Sequence, residues 1–239
     1  MIEPLLMKLE LRDRLHPEEK DALVMSVTPR RRYAAGDEMV AQGSSPDEST
    51  LLLEGTTARV SLLRGGEQQI TSLHIPGDFV DLHSFLLRRM DHSIVALHDC
   101  TVTTVPHSRL RDLTSRYPHL GRLLWLNTLL DAAIHRQWLT AMGRRDSLGQ
   151  TAHLICEQFL RLEVVARTAG QTFEFPLNQA ELADTLGRSR ATINGVVQEL
   201  RARRLITWDR LHVRILDWEG LADVAEFDPT YLQLEAMPV

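Results

Sequence analysis

Residues 177–206, LNQAELADTLGRSRATINGVVQELRARRLI, leave this chain few folds to choose from, because they spell two short helices joined by a tight turn. Asn178 is placed to cap the first helix by accepting backbone N–H groups, and Glu181 stands three residues on, as in a capping box. Leu182, Ala183 and Leu186 then share one helical face. Gly187 follows where a tight turn needs a residue that tolerates positive φ. Ser189 is placed to cap the second helix, whose apolar face is Ile193, Val196, Val197 and Leu200. The small Ala183 lets the helices cross closely, with Ile193 and Val196 packed beneath the first. The ordered set Leu-Ala-x-x-Leu-Gly-x-Ser followed by Ile-x-x-Val predicts a helix-turn-helix.

The second helix of such a pair enters the DNA major groove, where base edges are distinguishable. Arg190 suits a bidentate pair with guanine, or a phosphate if the helix sits differently, and the Asn194 amide suits adenine. Ser189 and Thr192 fit phosphate anchoring, and Arg188 adds charge in the turn. Ala191 offers only an apolar contact, as to a thymine methyl, and Gly195 offers none. Asn178 at the start of the first helix and Arg210 complete the candidate DNA-binding set. Arg210 belongs to a predicted wing: Leu205–Trp208 and Leu211–Ile215 are β-prone runs around Asp209-Arg210, and a hairpin there brings Arg210 near a phosphate. Arg201, Arg203 and Arg204 either meet DNA or complement the negative end of the second helix. The competing reading of the motif is a solvated helix face in an unrelated three-helix bundle.

From about residue 34 to 106 the sequence turns to short β-prone runs punctuated by Gly36, Gly43, Gly55, Gly65-Gly66 and Gly77, a spacing that predicts an antiparallel sandwich or barrel. Leu51–Leu53 reads as a core strand, Thr56–Leu63 alternates, and Gly65-Gly66 makes a hairpin turn. Residues 78–89 read as an inserted short helix, and Ile94–Leu97 and Thr101–Val105 as closing strands. From Pro118 a long helical stripe begins, and its candidate dimer face is Leu123, Leu124, Asn127, Leu130, Ile134 and Trp138. An intramolecular core helix is the alternative. Residues 143–149 read as a hinge, and 151–165 as the helix that opens the last domain.

Both halves together carry a family resemblance. AAGDEMVAQGSSPDESTLLLEGTTARV at 34–60, IPGDFVDLHSFLL at 75–87 and the helix-turn-helix resemble the CRP/FNR superfamily of bacterial transcription regulators, over nearly the whole chain. The resemblance implies an α+β chain: an antiparallel β jelly-roll of the cyclic-nucleotide-binding kind with N-terminal helices over 1–117, a dimerisation helix over 118–145, and a winged helix-turn-helix over 146–239. The partners it implies are double-stranded DNA with a pseudo-palindromic site, a second copy of the chain, and RNA polymerase.

The net charge of −5 weakens diffuse electrostatic attraction to DNA and favours a local basic patch: Arg188, Arg190, Arg201, Arg203, Arg204, Arg210 and Arg214. Cys100 and Cys156 stand far apart in apolar surroundings and read as buried thiols, which with no signal peptide or membrane-length apolar run predicts a cytoplasmic protein without membrane contact. No cysteine precedes Cys100, so the iron–sulfur cluster of one branch of the family lacks its ligands. An enzyme on a jelly-roll needs a convergent His/Glu ligand set, and none is visible, so a non-enzymatic regulator is expected.

In cyclic-nucleotide-binding members of the family a Gly-Glu pair grips the ribose and an Arg-Ser pair the cyclic phosphate. This chain has Asp81-Leu82 and His92-Ser93 at those places, which removes both polar anchors, and only Arg88 or Arg89 could replace the cation. Cyclic AMP is therefore not the expected effector. The candidate effector pocket is Asp81, Leu82, His83, His92 and Ser93, with His83 and His92 flanking it. Imidazoles suit haem or a transition metal. The spacing of His74, His83, His92, His98 and His107 shows no metal signature, so no metal ligand is assigned and no cofactor is expected, although haem or an unknown small effector stays compatible.

Overall fold

The computed structural model describes residues 2–236. Two helices, α1 (Glu3–Arg12) and α2 (Pro17–Ser26), lead into an antiparallel β sandwich. Its strands are β1 (Arg31–Tyr33), β2 (Glu38–Val40), β3 (Glu48–Glu54), β4 (Thr57–Leu62), β5 (Gln68–His74), β6 (Ser93–Ala96) and β7 (Cys100–Pro106). One sheet runs β1-β7-β3 and the other β2-β6-β4-β5. Leu51, Leu52 and Leu53 on β3 are all buried, because helices cover the outer face of their sheet and the opposite sheet covers the inner one.

Next come α3 (His107–Arg116), the 27-residue α4 (Pro118–Arg144) and α5 (Ser147–Val164). The C-terminal unit adds β8 (Thr168–Ala169), β9 (Thr172–Glu174), α6 (Gln179–Leu186), α7 (Arg190–Ala202), β10 (Ile206–Asp209), β11 (His212–Ile215) and α8 (Trp218–Ala225). Asp146 caps α5 by accepting from Gly149 N, so the expected hinge is a turn that redirects the chain at once. The wing is larger than the sequence indicated: β8 and β9 extend the hairpin into a four-stranded sheet ordered β10-β11-β9-β8. Phe173 and Phe175 stack edge-to-face at 6.0 Å beneath it.

Two expectations are corrected. Residues 78–89 do not form a helix beyond a 3-10 turn at Leu82–Phe85. The backbone of 78–80 is already engaged with β3, through Leu52 N to Asp78 O (2.9 Å) and Val80 N to Thr50 O (2.9 Å). Gly77 sets up that crossing: it sits at φ +89°, and a Cβ would lie 2.7 Å from the Pro4 backbone of α1. The second correction concerns the dimer face. Leu123 and Leu124 are buried against the sandwich and its helices, and Ile134 and Trp138 against the C-terminal core. Asn127 and Leu130 line a small cavity between α1, α4, α5 and the C-terminal tail. Leu123, Leu124, Ile134 and Trp138 thus face their own chain, with Asn127 and Leu130 half-buried beside them, because α4 lies in the groove between the two domains and spends most of this stripe there.

One ionic chain joins these layers. Asp78 accepts from Lys8 of α1 at 2.5 Å and from Arg161 of α5 at 3.0 Å. Arg161 also reaches Leu73 O (3.0 Å) and the carboxylate of Glu157 (3.3 Å). Glu157, fully buried, accepts from Trp138 Nε1 on α4 (3.1 Å) and from Tyr231 Oη in the tail (2.8 Å). Burial pushes Asp78 up, yet Lys8 and Arg161 outweigh it and hold the carboxyl well below its usual range. Burial likewise pulls the Lys8 ammonium down, to about 8, against the raising charge of Asp78. Removing Arg161 leaves the buried Glu157 without its cation and Asp78 with Lys8 alone. Arg161→Ala is therefore expected to lower stability by about 3–5 kcal/mol in urea denaturation. A loss within about 0.5 kcal/mol, typical of a surface site, would contradict this assignment.

Candidate functional site

The reading head is built by caps and a glycine. Asn178 Oδ1 accepts from Ala180 N (2.8 Å) and Glu181 N (3.0 Å), and the Glu181 carboxylate accepts from Asn178 N (2.8 Å). Gly187 takes φ +61° and ends α6, with its N–H bonded to Ala183 O. Ser189 Oγ then accepts from Thr192 N (3.1 Å) to start α7. Leu182, Ile193, Val196 and Leu200 are buried between the helices.

This geometry leaves Arg188, Ser189, Arg190, Ala191, Thr192 and Asn194 exposed along the first turns of α7. Asn178 is exposed too, with its carbonyl committed to its own helix. Arg210 is exposed at the wing tip, at φ +52°. Arg188 Nε donates to Gln150 Oε1 (3.2 Å), and Gln150 Nε2 donates to Ala141 O (2.9 Å), so the turn is tied through α5 to the end of α4. Arg201 and Arg203 are engaged locally, with Trp208 O and Glu199. The reading head is also held by the sandwich: Gln69 Nε2 donates to Asp184 O (2.7 Å) and Thr185 O (3.2 Å), and Gln68 Nε2 to Asp184 Oδ2 (2.7 Å). Neither glutamine was legible as a contact, since only the folded β4–β5 hairpin carries them across to α6.

In the β sandwich, the five expected pocket residues separate. Asp81 turns inward, fully buried, and accepts from Thr50 N at 2.5 Å; burial raises its carboxyl to about 7 despite that bond. It is thus a core group and not a pocket-facing one. Leu82 packs against the core beneath the helices. Ser93 Oγ accepts from Gln42 N (3.0 Å). His83 and His92 do come together, with ring centroids 5.0 Å apart. Burial and then the charge of Arg59 lower both, His92 to about 4. Arg59 went unnoticed in the sequence, although a charge inside an apolar strand is a visible anomaly. It is 8 % exposed and donates from β4 to His135 Nε2 (2.8 Å) and Asp131 Oδ2 (3.1 Å) on α4. Arg88 is exposed, and Arg89 donates to Gly43 O (3.1 Å). Both thiols are buried, and burial raises Cys100 to about 11 and Cys156 to about 12.

Comparison with known proteins agrees with both halves of this geometry. The cyclic nucleotide-binding domain family matches residues 30–117, and the Crp-like helix-turn-helix domain family matches residues 151–224. The chain belongs to the CRP/FNR family of transcription regulators. The transcriptional activator protein FnrL of Cereibacter sphaeroides is 25% identical over 216 residues, covering 88% of this chain and 86% of its own. The nitrogen fixation regulation protein FixK of Rhizobium meliloti is 27% identical over 174 residues, covering 73% and 76%. FixK2 from Bradyrhizobium japonicum superposes with a TM-score of 0.70 at 18% identity, covering 82% of this chain and 96% of its own, which bears on fold alone. Among the described residues, no helix is long and apolar enough to cross a membrane.

Asp81 serves here as a structural acid. A carboxyl whose folded pKa is about 7, against an ordinary value near 4, binds its proton more tightly when folded. Stability is then lost as pH rises from about 4 to about 7, and stays lower above that. Asp81→Asn keeps the acceptor for Thr50 N and removes the charge. It is expected to raise the Tm at pH 8 and to change it little at pH 4, in paired calorimetric scans. An equal shift at both values would show that the carboxylate carries no such penalty.

Proposed function

We propose that the protein is a homodimeric transcription regulator that binds a pseudo-palindromic duplex site through the exposed first turns of α7, working with RNA polymerase. The observation that carries this reading is the capped, glycine-closed helix pair, which leaves Arg190, Ala191 and Asn194 free while its apolar residues are buried. Arg190 reads a guanine edge, Asn194 an adenine, Ser189 and Thr192 hold phosphate, and Arg188 and Arg210 flank them. Asn178 acts mainly by fixing α6. The matching of the chain to transcription regulators at both ends supports the same role.

The dimer surface proposed is the outer face of α4. Trp125, Leu129 and Leu139 are 66 %, 49 % and 73 % exposed, and with Ala132, Arg136 and Gly143 they repeat in steps of four and three. That is the spacing of a two-helix coiled-coil seam. A parallel pairing about it places two α7 helices on successive major grooves, about one DNA turn (roughly 34 Å) apart.

Cyclic AMP is not the effector in this reading. Leu82 offers no acceptor for a ribose hydroxyl, and His92, held neutral by burial, supplies no cation for a cyclic phosphate.

Two measurements test these statements. Arg190→Ala is expected to weaken specific DNA binding by about 1–3 kcal/mol and to relax one base position, in fluorescence anisotropy against a panel of sites. Unchanged affinity and selectivity would remove Arg190 from the interface. In sedimentation velocity the native chain is expected to run as a dimer, and the double substitution Leu129→Glu with Leu139→Glu as a folded monomer. A variant that stays dimeric places the interface elsewhere.

A further inference from the structure

Three side chains on the sensor domain are gathered in a way that DNA binding does not use. His83 comes from the 3-10 turn, and Asp91 and His92 from the loop that opens β6. One ligand atom from each lies within 4.8 Å of the others. Nε2 of His83 and Nε2 of His92 are both buried without a hydrogen-bond partner. A buried polar atom left without a partner is destabilising, and ligation to an ion is one way to satisfy it. Nδ1 of His92 lies 2.6 Å from Asp91 Oδ1, so a ring nitrogen and a carboxylate oxygen converge beside His83.

We propose that His83, Asp91 and His92 form a binding site for a divalent first-row transition-metal ion. Two imidazoles and a carboxylate suit zinc, iron, cobalt or nickel, whereas magnesium and calcium prefer all-oxygen shells. Three protein ligands leave a coordination position for solvent or a small anion. The Arg59 cation nearby does not forbid the ion, because Asp131 neutralises it at 3.1 Å. The sequence spacing concealed the site: His83 and His92 are nine positions apart, and the loop between them closes only when Met90 N bonds Ser44 O (2.9 Å) and its side chain enters the core.

The test uses the full-length chain, stripped with a chelator and titrated with cobalt(II) and then zinc(II). One ion of each is expected per chain, with a cobalt d–d spectrum of nitrogen and oxygen ligation that zinc displaces and excess magnesium does not. Asp91→Asn alters an 81 % exposed side chain, so the fold is retained; it is expected to weaken cobalt binding about 10–100-fold. The double substitution His83→Ala with His92→Ala is expected to abolish the spectrum, with its melting curve recorded alongside. The proposal is overturned if the native chain takes up neither ion. It is equally overturned if Asp91→Asn and the double variant bind cobalt as the native chain does, since other histidines would then hold it.

Discussion

Arg161 is the group on which the arrangement of the domains depends. Its guanidinium meets the Asp78 carboxylate of the sandwich and the Glu157 carboxylate of its own helix, and Glu157 in turn holds Trp138 of α4 and Tyr231 of the tail. Lys8 closes the chain from the N-terminal side. No member of this set is tolerable alone away from water, because an unpaired buried charge costs several kcal/mol. Together they specify one register of α1, α4 and α5 against the sandwich. The apolar core beneath supplies attraction without direction, and the ionic chain supplies the direction.

That register determines what α4 has left to offer. One stripe, from Leu120 to Ala141, is spent inside the chain. The opposite stripe, with Trp125, Leu129 and Leu139, is apolar, exposed and spaced for a partner helix. A helix apolar on two faces is what a chain needs if it is to cover its own domains and also pair with a second copy. The links from Gln150 to Ala141 and Arg188, and from Gln69 to α6, then connect α4 and the sandwich to the reading head. Arg59, bonded to Asp131 and His135, adds a further link between the sandwich and α4.

The helix-turn-helix was legible in the sequence almost to the residue, since caps, glycine and apolar spacing are local and act within a few positions of each other. The jelly-roll was legible for the same reason, through its glycines and alternating runs. What failed was the assignment of faces. A wide apolar stripe on α4 does not say which part meets its own chain, and Leu123, Leu124, Ile134 and Trp138 lie within although their spacing suits an outer face equally well. Asp81 was misplaced because position relative to a family motif carries no information on side-chain direction; Thr50 N, thirty-one residues away, decides it. The His83–His92 pair was suspected from its place and denied by its spacing, and only the folded loop brings in Asp91. β8 and β9, at two and three residues, are too short for any periodicity to register.

The function we propose is that of a dimeric, sequence-selective DNA reader built on α7 and α4. The most direct test is selection of bound duplexes from a random pool by the purified full-length protein, without added ligand. The expected result is a two-fold symmetric site with half-sites about one helical turn apart, bearing a guanine in each that Arg190→Ala releases. Recovery of only weak, salt-sensitive, unselective binding, or of a single asymmetric half-site, would contradict it.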